Sequence, residues 1–231
     1  MPEAASRPIH DARFPNESAD YRAARDALLE AEIALRRQAE AVAAQRRTLP
    51  PGGAIPEDYV FEEGADGRIV RMSALFGDKP VLLLYSYMYG PAMERPCPSC
   101  TSILDGLDGQ APHIAQRAAI AAVARSPIAR FRAFAEERGW QRLRLLSSAH
   151  NSYHPDYHGE DEKGAQWPIL NVFVRGADGT IRHSYATELA FAPREPGQDP
   201  RHVDSIWPLW GALDFSPEGR GADFRPKLSY D

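Results

Sequence analysis

The sequence predicts an α/β fold in which helices cover a mixed central sheet and a long helix precedes that sheet. Apolar runs alternate with helical segments over most of the chain, and the hydrophobic content of 43% is enough to build a core. The Leu-Pro-Pro-Gly-Gly sequence at residues 49–53 separates a helical N-terminal segment from the remainder. We therefore divide the 231 residues into an N-terminal tail and long helix, residues 1–50, and one α/β domain, residues 51–231.

A long helix is predicted from about Ala19 to Arg47, with Ser18 as its N-cap. The segment is rich in Ala, Leu, Glu and Arg, and its interior contains neither Gly nor Pro. Its apolar residues follow three- and four-residue spacing, but the stripe they form is largely alanine and is thin for a coiled-coil seam. We favour a helix that packs along its own domain, and the alternative is an arm that forms a homodimer.

The α/β domain is predicted to begin and end with hairpins, between which strands and helices alternate. Strands that are joined through helices pair in parallel with right-handed crossovers, whereas hairpins add antiparallel strands. A continuous apolar run such as Val81 to Tyr85 is typical of a strand buried on both faces of a sheet. The predicted strands cover residues 59–62, 68–72, 81–85, 119–124, 142–146, 169–174 and 180–185.

Three helices are predicted between or after these strands. Cap signals mark their ends, because a proline that follows a capping hydroxyl starts a helix and a glycine ends one. The predicted helices run from Cys97 toward Arg117 with an interruption around Gly106 to Pro112, from Ser126-Pro127 to Gly139, and from Val203 to Leu213 with a break at Pro208.

The chain contains two cysteines, Cys97 and Cys100, which Pro98 and Ser99 separate. A structural disulfide across so short a loop constrains little of the unfolded chain, and a zinc site usually needs four ligands, for which no second cysteine pair is present. A helix N-terminus stabilises a thiolate. We interpret the pair as a catalytic dithiol in which Cys97 attacks and Cys100 resolves. Arg95 is the nearest cation in the sequence and also favours a thiolate.

Composition and charge exclude several classes of function. The net charge is −5 and no Lys/Arg run stands out, which argues against nucleic acid as a partner. The apolar runs are too short to span a membrane, and the first twenty residues lack the apolar stretch of a secretory signal, so we predict a cytoplasmic protein. No Gly-rich phosphate loop or nucleotide fingerprint is present, and we predict no cofactor.

Two groups of side chains near the cysteines have alternative interpretations. Tyr85, Tyr87 and Tyr89 alternate on a strand that leads to the pair, and core packing with one satisfied hydroxyl is favoured over an aromatic wall or proton donor beside Cys97. The polar stretch 147–166 contains His150, His154 and His158, whose spacing would suit a metal site on a helix. Because Pro155 and Gly159 argue against a helix, we favour a solvated loop that binds no metal.

The order of elements, with Cys-x-x-Cys after the first buried strand, resembles the thioredoxin superfamily over roughly residues 55–215. The first hairpin and Ser126-Pro127 are more similar to the peroxiredoxin branch than to a minimal thioredoxin. This resemblance implies that Trp167 and Pro168 bind substrate, with Pro168 at the place of a cis-proline that faces the dithiol. It also implies that Asp178-Gly179 turns the terminal hairpin.

Several separated motifs are similar to the bacterial domain-of-unknown-function 899 (DUF899) family of thioredoxin-like proteins. The resemblance implies a dithiol–disulfide oxidoreductase whose partner is a protein or small-molecule thiol or disulfide. A non-catalytic thioredoxin-fold binding module is the alternative, and a thiol peroxidase is the next. The matching residues are 46–50, 58–61, Met88-Tyr89-Gly90-Pro91, Cys97-Pro98-Ser99-Cys100, Ser126-Pro127, Gly139-Trp140 and 214–220.

Overall fold

A computed structural model describes residues 9–64, 66–193, 196, 203–221 and 223–230. Backbone contacts divide the chain into two compact units, Met1–Pro50 and Pro51–Asp231. No helix among the described residues is long and apolar enough to cross a membrane.

The N-terminal unit contains helix α1, Ala19–Arg47, whose predicted bounds are confirmed. The Ser18 hydroxyl accepts a hydrogen bond from the amide of Tyr21 at 3.1 Å, which satisfies one of the free N–H groups of the first turn. An acidic residue lies in the first turn and two arginines in the last, which suits the helix dipole. Local sequence signals therefore define this helix at both ends.

We predict that removal of residues 1–50 leaves a domain that still unfolds cooperatively. The reason is that this segment forms a compact unit of its own, and that the Pro-Pro-Gly-Gly sequence joins it to the second unit. Thermal unfolding followed by circular dichroism should show a single sharp transition for a chain that begins at Pro51. An aggregating remainder with a broad transition, beside a full-length control that unfolds sharply, would contradict this.

The second unit contains a seven-stranded mixed sheet in the order β2-β1-β5-β4-β3-β6-β7. The central strands β3, β4 and β5 are parallel, and the hairpins β1–β2 and β6–β7 are antiparallel. The predicted α/β fold with a mixed sheet is confirmed. The strands are β1 (Val60–Glu62), β2 (Ile69–Arg71), β3 (Val81–Ser86), β4 (Ala119–Ala124), β5 (Arg144–Ser147), β6 (Ile169–Arg175) and β7 (Ile181–Ala186).

Helices cover both faces of this sheet. On β3, Leu82 and Leu84 join one buried cluster while Leu83 and Tyr85 contact the other, as expected for a strand buried on both faces. The helices are α2 (Met72–Leu75), α3 (Pro98–Ile114), α4 (Ile128–Arg138), α5 (Tyr153–Asp156) and α6 (Pro208–Leu213), and short 3-10 turns cover Glu188–Ala190 and Asp204–Ile206.

The predicted interruption of α3 around Gly106 to Pro112 is wrong, since the helix is continuous from Pro98 to Ile114. Pro112 lies in the last turn, where a missing N–H removes a single helical hydrogen bond. A Cβ at Gly106 would lie 3.2 Å from the Pro208 ring, so glycine allows α6 to approach α3 closely. Asp108 is buried and its carboxylate accepts three backbone N–H groups, those of residues 141–143, which attaches α3 to the chain before β5. Tertiary contacts thus outweigh the local breakers.

The start of α4 differs by one residue from the prediction. Pro127 is extended and is the N-cap, and Ser126 makes no capping hydrogen bond. A residue before proline is pushed out of the helical region, and the Ser126 carbonyl instead accepts the Ser147 hydroxyl at 2.7 Å. Gly139 ends the helix in the left-handed region at φ 79°, as predicted.

Candidate functional site

The two cysteines lie at the sheet edge where the parallel strands end. After β3 ends at Ser86, residues 87–97 form a segment that we call the cysteine loop. The Tyr87 amide donates to the Val123 carbonyl at 2.8 Å, which attaches this loop to the end of β4. Strand β6 runs antiparallel to β3 and begins with Ile169 opposite Ser86. The residues that precede β6 therefore lie at the same edge as the cysteine loop.

Cys97 is the N-cap of α3, and Pro98 occupies the first helical position, as the sequence predicts. The Cys97 amide donates to the Met88 carbonyl at 3.1 Å, and its carbonyl accepts from the amide of Thr101 at 3.0 Å. The Thr101 hydroxyl also donates to the Cys97 carbonyl, and the Tyr87 and Thr101 hydroxyls lie 2.7 Å apart. The backbone of Cys97 is therefore held from both sides.

The two thiols interact, and their environments differ. Both are free; Cys97 is half-buried and Cys100 is 1% exposed. A hydrogen bond from the Cys100 thiol and smaller contributions from the backbone groups of Cys100 and Ser99 at the helix start together lower the pKa of Cys97 to about 6 despite desolvation. Burial and the adjacent Cys97 raise the pKa of Cys100. One sulfur therefore ionises readily while the other stays a thiol.

Arg95 has a different partner from the one the sequence suggested. Its guanidinium pairs with Glu137, with Nη1 3.2 Å from Oε2, and lies 5.2 Å from the ring centroid of Phe134. Its charge is therefore engaged by a carboxylate on α4 rather than by Cys97.

Arg130 of α4 is the cation that holds the cysteine loop. It donates hydrogen bonds to the carbonyls of Pro91, Met93 and Glu94, of which the last is 2.8 Å long. The guanidinium also lies 4.5 Å from the ring centroid of Tyr89. A single side chain thus satisfies three carbonyls of the loop within the six residues before the first cysteine.

The core-packing interpretation of Tyr85, Tyr87 and Tyr89 is confirmed, because all three are buried. Tyr87 stacks on Phe131 with ring centroids 5.2 Å apart, and its hydroxyl is the satisfied one through Thr101. The Tyr85 hydroxyl is also buried, but it makes no hydrogen bond of normal geometry.

A polar network joins the end of β4 to the segment before β6. Arg125 donates to Glu160 at 2.9 Å and to the carbonyls of Ser148 and Asn151 at 2.7 and 3.1 Å. Glu160 also accepts the Gln166 amide at 2.8 Å. The network therefore fixes the long segment between β5 and β6 at the sheet edge that carries the cysteines.

Trp167 and Pro168 directly follow a residue that packs on the cysteine loop. A Cβ at Gly90 would be 3.0 Å from the side chain of Gln166, so Gln166 packs directly on that loop. Trp167 follows it, is 38% exposed, and donates its amide to the Gly159 carbonyl at 2.9 Å. The Trp167–Pro168 peptide bond is trans, so the cis geometry that the resemblance implied is absent. Pro168 instead leads directly into extended β6, which a trans X-Pro bond permits.

The family model described as a bacterial protein of unknown function (DUF899) matches residues 12–230. The chain belongs to this family. No curated protein matches. The mixed sheet, in which the cysteines follow β3 between parallel β4 and antiparallel β6, confirms the thioredoxin-like α/β fold predicted for this DUF899 chain.

Solved structures of other proteins are similar to the DUF899 chain at low identity. A hypothetical protein from Sinorhizobium meliloti is 21% identical, covering 68% of this chain and 81% of its own, with a TM-score of 0.43. The peroxidoxin BcpB from Mycobacterium tuberculosis is 20% identical, covering 71% and 98%, with a TM-score of 0.46. A cysteine-to-serine mutant of PrxQ from Xylella fastidiosa is 14% identical, covering 71% and 97%, with a TM-score of 0.48.

The interpretation of the histidine segment of this DUF899 chain as a solvated loop is wrong for its centre. Tyr153 to Asp156 form the short helix α5, and His154 is fully buried with Nδ1 2.5 Å from the Ser148 hydroxyl. His150 is exposed and approaches Glu62, whereas His158 contacts Phe191, so the three imidazoles diverge. Within the described part of the chain, no group of three or more His, Cys, Asp or Glu side chains is placed to hold a metal ion.

Three residues that hold the segments around the cysteines are not predicted from the sequence, namely Arg125, Arg130 and Gln166. Arg125 could have been identified from the sequence, because it directly follows the apolar strand β4. Functional loops commonly follow the carboxyl ends of parallel strands. The sequence gives no such indication for Arg130 and Gln166, since a single polar residue on a helix or in a loop is ordinarily solvated.

Proposed function

We propose that this protein is a thiol–disulfide oxidoreductase that acts through Cys97 and Cys100. The observation that supports the proposal is the pairing of a half-buried thiol of lowered pKa at a helix start with a buried thiol one turn later. Thiolate is the reactive form in exchange, and a thiol with a pKa near the ambient pH is close to the optimum for attack. A pair of cysteines with a purely structural role does not require this difference in pKa and burial between the two thiols.

The reaction proceeds in two steps. The Cys97 thiolate attacks a substrate disulfide, a Cys97–substrate disulfide forms, and the first substrate sulfur leaves as a thiolate. Cys100 then attacks Cys97, the internal disulfide forms, and the second substrate sulfur leaves with the proton of the Cys100 thiol. The substrate is thus reduced by two electrons and the protein oxidised by two, and an external thiol restores the dithiol.

Trp167 and Pro168 are the proposed substrate contacts. Trp167 supports this role because it is partly exposed and directly follows Gln166, which packs on the cysteine loop. The disulfide partner is a protein or a small molecule, and the proposed compartment is the reducing cytoplasm, where a labile disulfide acts catalytically rather than structurally. A homodimer is compatible with this assignment, which needs residues of one chain alone.

We expect the reduced protein to become oxidised by one equivalent of a model disulfide such as oxidised glutathione, with an internal disulfide detected by mass spectrometry. Alkylation of Cys97 by iodoacetamide should follow an ionisation midpoint near pH 6, because the thiolate alone reacts and its pKa is lowered to about 6. Cys100 should stay unmodified over that range, since it is buried.

Two outcomes contradict the proposal. Equal alkylation of both cysteines with midpoints near that of free cysteine, together with no exchange, favours the binding module. Oxidation by hydrogen peroxide at a higher rate than by any disulfide favours the thiol peroxidase.

A further inference from the structure

The hydroxyl of Tyr85 is a polar group that the fold buries without an ordinary partner. Tyr85 is 0% exposed on β3, and its oxygen makes no hydrogen bond of normal geometry. Burying a hydroxyl without a partner costs free energy, and a phenylalanine would fill the same volume without that cost. The position therefore carries an oxygen that packing does not explain.

The side chain that interacts with this hydroxyl is Cys100. The two belong to one buried cluster, and burial together with the nearby Cys100 sulfur raises the pKa of Tyr85. The phenol therefore stays protonated and is able to donate. In the opposite direction, the Tyr85 hydroxyl lowers the pKa of Cys100 against the larger effects of burial and of Cys97. Among the ionisable groups, Cys97 and Tyr85 have the largest effects on the pKa of Cys100, and Tyr87 also interacts electrostatically with this sulfur.

We propose that Tyr85 donates a hydrogen bond to Cys100 Sγ as this sulfur becomes anionic, and thereby accelerates the second step of the exchange. This inference rests on the proposed oxidoreductase function. When Cys100 attacks Cys97, its thiol proton passes to the departing substrate sulfur, and negative charge develops on a sulfur to which water has no access. A donor already in place needs no reorganisation at that moment. While Cys100 is protonated, the Tyr85 hydroxyl has no strong hydrogen-bond partner, as is found in the reduced protein.

Tyr87, two residues after Tyr85 at the start of the cysteine loop, supplies a matched control. Its hydroxyl is 2.7 Å from the Thr101 hydroxyl and is therefore satisfied before any reaction occurs. Tyr85→Phe and Tyr87→Phe each remove one buried phenol oxygen from the same cluster. They differ in whether that oxygen has a partner in the resting protein.

The test follows the two thiolates that a symmetric nitrobenzoate disulfide releases when it is mixed with excess reduced protein in a stopped-flow spectrophotometer. Attack by Cys97 releases the first coloured thiolate, and attack by Cys100 releases the second. Tyr85→Phe should slow the second release by about tenfold or more, because hydrogen bonds to charged groups are among the strong ones. The first release should be unchanged, and Tyr85→Phe should unfold at the same temperature as the parent or above it. Tyr87→Phe should unfold at a lower temperature and keep the second release within about twofold, because the amide and the hydroxyl of Thr101 still donate to the Cys97 carbonyl in this variant.

Equal second-release rates in Tyr85→Phe and the parent overturn the inference. Equal slowing in both tyrosine variants also overturns it, because the effect then belongs to packing. A Tyr85→Phe protein that fails to fold shows that the hydroxyl already has a structural partner, which likewise contradicts the inference. Absence of any thiolate release from the parent protein contradicts the proposed function itself.

Discussion

Cys97→Ser should reduce the rate of disulfide exchange by at least about 10³-fold, because a serine hydroxyl is not ionised at neutral pH and is a weak nucleophile without a base. Cys100→Ser should instead retain the first step and trap the substrate as a mixed disulfide on Cys97. The cause of this difference is positional, since Cys97 is half-buried at the start of α3 whereas Cys100 lies inside the first turn and is buried. Gel electrophoresis without reductant, after incubation with a disulfide-bonded protein, separates the two results.

Each variant is the control for the other, because each retains one cysteine and the same fold. Trapping on Cys100 in the Cys97→Ser protein would reverse the assigned order of attack. If neither variant captures a partner and both react with alkylating agents at the rate of the parent, the two cysteines have no exchange function.

The sequence predicts the local structure around the cysteines well because its determinants are local. Cys97 and Pro98 form an N-cap and first helical residue whose signals lie within four residues, and the apolar run before them requires a buried strand. Local signals likewise place the start of α1 at Ser18 and the end of α4 at Gly139. Where capping chemistry and side-chain periodicity agree, the helix and strand bounds follow within one or two residues.

The segment between β5 and β6 is predicted poorly because long-range contacts determine its burial. Asn151 donates to the Val60 carbonyl at 2.7 Å, and Tyr153 packs edge-on against Phe61 of β1 with ring centroids 5.5 Å apart. Arg125 binds the backbone at its start. None of these partners is close in sequence. The segment therefore has the polar composition that is typical of a solvated loop, although its central residues are buried. The same reasoning applies to Gln166, whose contact with Gly90 brings the chain just before Trp167 to the cysteine loop.

The buried His154 should make the protein sensitive to acid. Burial, assisted by the charge of Arg125, lowers the pKa of His154 from 6.5 to about 3 in the folded state. Below its unfolded pKa the unfolded chain takes up a proton that the folded chain does not, so the free energy of unfolding decreases as the pH falls from 6.5 toward 3. The loss amounts to about 1.4 kcal/mol per pH unit, or about 3 kcal/mol at about pH 4. Above pH 6.5 the histidine is neutral in both states and has no such effect.

His154→Gln should remove this part of the pH dependence, because glutamine retains a polar group toward the Ser148 hydroxyl and does not titrate. Urea unfolding at a series of pH values measures the slope, which is independent of any constant stability change that the substitution causes. His150→Gln is the matched control, since that imidazole belongs to the same segment and its side chain is 78% exposed. The free energy of unfolding of His150→Gln should change with pH as that of the parent does. If the curve of His154→Gln were also parallel to that of the parent, His154 would take up its proton without unfolding the site.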